Sequence, residues 1–138
     1  IGGYAGVVAF GSVVSNSAAF ASIVEWVLSM KMNPYVQGVF ATMVVSAVTG
    51  SSSGGLKIMF TAFTEDFLAS SANLELLHRL VCISADALDT LPHSPGLFLM
   101  FSVLGLTHKQ AYKHVFWTST VIPLIVTFIA LIIIVMFF

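Results

Sequence analysis

Three titratable side chains crowd into one short stretch, "SADALDTLPHSPG", which holds Asp86, Asp89 and His93. Upstream lies a run of small hydroxylated and flexible residues, "TGSSSGGLK", from Thr49 to Lys57. Asp86 and Asp89 are three apart and share a face if a helix reaches that far. Neighbouring carboxylates favour holding a proton between them, which suits a proton carrier. The plainer alternative is that either aspartate caps a helix end. His93 lies between Pro92 and Pro95, on backbone that is not regular helix. There an imidazole can bind a carboxylate or hydroxyl or take up a proton, or it can be a satisfied structural histidine. In the upstream run, the hydroxyls of Ser51, Ser52 and Ser53 and the free N–H groups of a helix opening at Gly54 or Gly55 suit an anion. The competing readings are close helix packing through the Gly50-to-Gly54 GxxxG, or a linker. Lys57 opposes the helix dipole in a first turn. It attracts an anionic solute, pairs with a carboxylate or snorkels outward, and these three roles stay open.

The elements that must position these residues are set by an apolar chain. Of 138 residues, 58% are hydrophobic and 8% charged, with mean hydropathy +1.02. Soluble domains carry about 25% charged residues, so a lipid bilayer is the expected solvent. The net charge of -1 offers no basic surface for nucleic acid. Cys82 is alone, which excludes an internal disulfide or a Cys-rich metal cluster. Neither an H-E-x-x-H nor a G-x-S-x-G motif occurs, so no enzyme, metal or cofactor is expected. The chain opens Ile1-Gly2-Gly3-Tyr4, without an initiator Met or a basic n-region, and is read as one incomplete domain over 1–138, an internal or C-terminal piece of something longer.

From Val115 to Phe138 no charge occurs, and as a helix this stretch reaches about 36 Å, enough to span. Pro123 is expected to kink it, which neighbouring helices tolerate. Gly3 to Met30 is either a span with a polar face or a span followed by an interfacial helix, ended by Lys31, Asn33 and Pro34. Tyr35 to Ser70 as one helix would run about 54 Å, against a hydrocarbon core of about 30 Å. It must break, and the break chemistry is Gly50 to Gly55. That leaves two arms of about 14 residues, each too short to span, which read as a re-entrant hairpin entering and leaving on one side. Glu65 to Glu75 is expected as a polar connector, Leu74 to Leu106 as a span broken at "DTLPHSPG", and "THKQAYKH" as a basic connector. Lys109 and Lys113 place that connector in the cytoplasm, so the hairpin opens from the external face. The expected fold is an all-α membrane protein: transmembrane helices, a re-entrant helical hairpin and a broken helix.

The stretches "TGSSSGGL" (49–56), "LHR" (77–79), "LDTLPH" (88–93), "GLTHKQAYK" (105–113) and "VIPLI" (121–125) resemble, in that order, the gluconate permeases. These are GntP-type proton symporters of the ion-transporter superfamily. The resemblance runs from about Gly11 to Ile125. It implies one repeat of an inverted-repeat transporter, in a multi-pass protein of the bacterial inner membrane that takes up gluconate or a related small organic acid with protons. Its partners would be the organic anion and proton, the bilayer, the N-terminal half of the same transporter and, where it oligomerises, a second copy. By matching position it implies site roles for Ser51, Ser52, Ser53, Gly54, Thr90 and His93 in substrate binding, with Ser94 beside them, and for Asp89 in proton coupling. Asp86, three residues from Asp89, is a second coupling candidate by spacing, although it and Lys57 sit where the family usually has small or polar residues. Where gluconate permeases read His-Asn-Gly, this chain reads His93-Ser94-Pro95. The alternative function is a channel-like or structural membrane subunit without carrier activity.

Overall fold

The computed structural model describes residues 5, 9, 12, 13, 16–30 and 32–137. Most of the apolar run before Asn16, and the Lys31 stop, lie outside the described residues. Seven helices follow in order: α1 Ala18–Ser29, α2 Pro34–Thr49, α3 Ser52–Ala69, α4 Leu74–Ala85, α5 Pro95–Leu104, α6 His108–Phe116 and α7 Ile122–Phe137. A π-type turn, Trp117–Val121, joins α6 to α7 in one continuous helix, His108–Phe137. Among the described residues there is no strand, and the all-α expectation holds.

Helix α2 begins where Asn33 accepts the Tyr35 N–H at 2.9 Å, with Pro34 in the first turn. It ends because Gly50 turns left-handed, at φ 61°, and the Gly50 and Ser51 N–H groups both return to the Ser46 carbonyl. Ser51 then caps α3 by accepting the Gly54 N–H at 3.2 Å. The turn between the two helices is therefore two residues long, and the arms are 16 and 18 residues. Glu65 and Asp66, expected in a connector, instead continue α3. The connector shrinks to 70–73, tied down where the Asn73 N–H donates to Tyr35 Oη at 2.9 Å.

The two arms pack side by side. A Cβ on Gly55 of α3 would sit 2.9 Å from Ser46 Cα of α2, so this approach requires a glycine. The close-packing role falls to Gly55 and not to Gly54, whose Cβ would meet only Ser51 and Thr49. Further down, a Cβ on Gly38 would come within 2.9 Å of Leu77 Cδ1, which marks the crossing of α2 with α4. Helix α2 is thus the centre, contacted by α1, α3, α4 and α7. The core is built from Val39, Val45, Met59, Phe63, Leu80 and Val81, all buried.

The continuous helix His108–Phe137 has 30 residues and is long and apolar enough to cross a membrane. "THKQAYKH", expected as a connector, forms its first turns: Gln110 Oε1 accepts from both the Thr107 N–H (3.0 Å) and hydroxyl (2.7 Å), a cap that lets the helix start early. The other apolar helices among the described residues are shorter; Gly50 ends α2, and Pro95 and Gly105 bound α5.

Gly50 and Gly105 make a paired test of this architecture. Both have positive φ, and replacing either by alanine costs about 1–2 kcal/mol for conformation alone. At Gly105 the new methyl enters open space, whereas at Gly50 it would lie 2.9 Å from Ser94 Cα and from Pro95 Cδ. Overpacking there adds about 1–3 kcal/mol. Thermal unfolding of the two alanine variants of the intact protein in detergent should show Gly50→Ala clearly the worse, and equal losses would disprove the close docking of the tip.

Candidate functional site

Two non-helical segments meet in this molecule: the hairpin tip at Gly50–Ser51 and the break between α4 and α5. Helix α4 stops at Ala85 with Asp86 as its C-terminal cap, ahead of Pro92. The expected shared helical face for Asp86 and Asp89 is therefore not formed. Successive turns, Ala87 N–H to the Ser84 carbonyl (3.2 Å) and Ser94 N–H to Leu91 (2.8 Å), carry the chain on to α5. Asp86 is exposed, Asp89 half-buried, and the two remain close enough to interact through their charges.

The tip leaves α2 with carbonyls that its own helix does not satisfy. Within the last turn, Thr49 Oγ1 donates back to the Val45 carbonyl at 2.9 Å. The Gly50 and Ser51 N–H groups have gone to Ser46, so the Ala47 carbonyl lacks its helical donor. His93 supplies one from the break, Nε2 lying 2.7 Å from the Ala47 oxygen. A carbonyl only accepts, so Nε2 carries the proton. Ser94 does the same at the turn itself, its Oγ donating to the buried Gly50 carbonyl at 2.8 Å. Ser94 stands at the N-cap of α5, yet its side chain makes no cap bond there. The hydroxyl serves the tip instead.

On the other side of the tip is the opening turn of α3. Asp89 lies close enough to the opening turn of α3 to interact with the hydroxyl and backbone N–H of Ser52. Ser51 and Ser53 place their hydroxyl oxygens 3.3 Å apart, with Ser53 exposed. The Gly54 N–H is occupied by Ser51. Lys57 is exposed one turn beyond Ser53, and the one ion pair among the described residues joins Arg79 to Glu75, so Lys57 does not take the carboxylate-pairing role. The assembly is a half-buried carboxylate set against a helix N-terminus and three hydroxyls. It can accept a cation or proton at Asp89, and it offers N–H and O–H donors to a carboxylate-bearing solute.

Thr90 turns away from this space, toward the last helix: its hydroxyl donates to the Ser119 carbonyl at 3.0 Å and lies 3.2 Å from Thr120 Oγ1. Sequence reasoning missed the residues that hold the break from this side. Tyr112 Oη donates to the Thr90 carbonyl at 3.3 Å, and His108 Nε2 to that of Pro92 at 3.2 Å. His108 is held among the rings of Phe98, Phe101 and Tyr112. The signal was present in "THKQAY", where His108 and Tyr112 are four apart on one helical face. His78, exposed, stacks on Phe60.

The chain is similar to the "Uncharacterized transporter YxjC" of Bacillus subtilis (strain 168), at 31% identity over 111 residues. Those residues cover 78% of this chain and 24% of that protein, so the chain spans about a quarter of the length of the curated relative it matches. No protein-family profile and no solved structure matches it.

The two clasp residues differ in what their loss exposes. Ser94→Ala leaves the buried Gly50 carbonyl without its donor and should cost about 1–3 kcal/mol. His93→Ala removes a bond at an exposed position and should cost about 0.5–1.5 kcal/mol. Denaturation midpoints of the two variants check the order, and a Ser94→Ala protein as stable as the wild type would remove the clasp from the account.

Proposed function

We propose that this chain forms one wall of the binding site in a secondary carrier that takes up a small organic anion of the gluconate kind, together with protons, across the bacterial inner membrane. The observation that carries the reading is the meeting of the hairpin tip with the break, through His93 on Ala47, Ser94 on Gly50 and Asp89 opposite Ser52. Non-helical backbone within an apolar chain is stable where protein or a watery cavity satisfies it, and helix ends that converge there suit an ionic solute. The likeness to a protein named as a transporter supports the same direction. In this reading the tip is re-entrant, Ser51, Ser52 and Ser53 with the first turn of α3 receive the solute's carboxylate, and Lys57 adds long-range attraction.

Asp89 is the coupling group. While ionised it occupies the Ser52 donors and repels an anion. Protonated, it releases them and becomes a donor itself. Solute and proton then bind together, which is the condition for symport.

Asp89→Asn in the intact protein, reconstituted in liposomes, should abolish gluconate accumulation driven by an imposed pH difference while leaving some downhill exchange. A variant that still concentrates solute in response to that difference removes Asp89 from coupling, and a strict sodium requirement removes protons. Counter-flow separates this function from a channel-like or structural subunit, because a carrier exchanges labelled for unlabelled solute and an open pore does not. A single cysteine at Ser52, in a Cys82→Ser background, should react with a small polar thiol reagent from one side of the membrane and be protected by gluconate. An inert cysteine in a transporting protein would mean that the tip is closed packing.

A further inference from the structure

The last helix carries a defect that another part of the chain repairs. In an α-helix the N–H of residue 123 would donate to the carbonyl of Ser119, four residues back, but Pro123 has no N–H and its ring crowds that carbonyl. The helix answers by widening into the π-type turn Trp117–Val121, in which the Ile122 N–H reaches back five residues to the Trp117 carbonyl. Thr90 inserts its hydroxyl at this point, donating to the Ser119 carbonyl at 3.0 Å. Thr90 Oγ1 also lies 3.2 Å from the hydroxyl of Thr120, itself buried, and the Thr90 carbonyl accepts from Tyr112 at 3.3 Å. Thr90 is thus held by side chain and backbone at two levels of the helix, and its neighbour in sequence is Asp89.

We propose that Thr90 is a positioning residue: its hydroxyl stands in for the N–H that Pro123 lacks, and by anchoring there it fixes Asp89 opposite Ser52 at the hairpin tip. Thr90 acts through Asp89 and does not itself meet the solute. Movement of the last helix at its π-type turn is thereby transmitted to the tip. Only the solute arm of the test rests on the carrier reading.

The test uses the intact protein with Cys82→Ser and Ser52→Cys, and compares Thr90→Ser, Thr90→Val, and Thr90→Val combined with Pro123→Ala. Unfolding midpoint, the rate of reaction of Cys at position 52 with a polar thiol reagent, and half-saturation for gluconate uptake without the cysteine are measured for each. Thr90→Ser should match the parent throughout. Thr90→Val should lower the midpoint by about 3 °C or more and change the thiol rate by about tenfold. Adding Pro123→Ala returns an N–H to the Ser119 carbonyl, so the midpoint should recover while the thiol rate stays altered. A Thr90→Val protein with parental midpoint overturns the stand-in donor. A thiol rate that is unchanged, or that recovers along with the midpoint, reduces Thr90 to a structural residue and overturns its positioning role. Gluconate half-saturation should follow the thiol rate. If the parent takes up no gluconate, the carrier reading fails for that solute, while the midpoint and thiol rate still decide the role of Thr90.

Discussion

The structure depends on one interaction: carbonyls released where helices break draw their donors from another element. The Gly50 turn frees Ala47 and Gly50, and Pro123 frees Ser119. His93, Ser94 and Thr90 answer them, all from the five residues between Thr90 and Ser94. A buried acceptor without a partner costs about 1–3 kcal/mol in a soluble interior and several in hydrocarbon, where no water can substitute. The break cannot therefore drift from the tip or from the last helix without orphaning several acceptors at once. That is why the irregular segment of nine residues, 86–94, stays docked between the tip and the last helix.

The apolar surface carries a second constraint. In α7, Leu124, Leu131 and Ile134 face the core, while Ile125, Phe128, Ile129, Ile132 and Met136 on the opposite side are exposed. A helix equally apolar on both faces has no side suited to water, and contiguous exposed patches of this kind mark contact with lipid or with other protein. Helix α5 shows the same character at Phe98, Val103 and Leu104. Both faces are consistent with a chain that covers about a quarter of its curated relative's length.

The groups proposed to receive solute and proton lie at the seam between these constraints. Ser52 and Asp89 come together because Gly50 sets where α3 begins and because Thr90 and Ser94 hold the break on either side of it. Their sequence separation carries no trace of this. The hydroxyls of Ser94 and Thr90, which resemble solute ligands by type and by position, are spent on backbone, while Ser52 is shared with Asp89 and Ser53 with Ser51.

The sequence by itself determined the apolar environment, the all-helical class and the places where helices stop. Those properties are local: hydropathy sums along the chain, Gly50 and Gly105 tolerate left-handed turns, and Pro92, Pro95 and Pro123 cannot donate whatever surrounds them. Local patterns also misjudged the capped start at Thr107 and the run-on of α3 through Glu65 and Asp66, because polar side chains at a helix end look like a connector. Only the tertiary structure decided that Gly55 and not Gly54 is the packing glycine, that Asp86 and Asp89 part from a helical face, and that His93 and Ser94 serve carbonyls 46 and 44 residues away. An orphaned acceptor is predictable from the position of a glycine or proline, but the donor that reaches it is chosen by packing, and packing is not written in any short stretch of the chain.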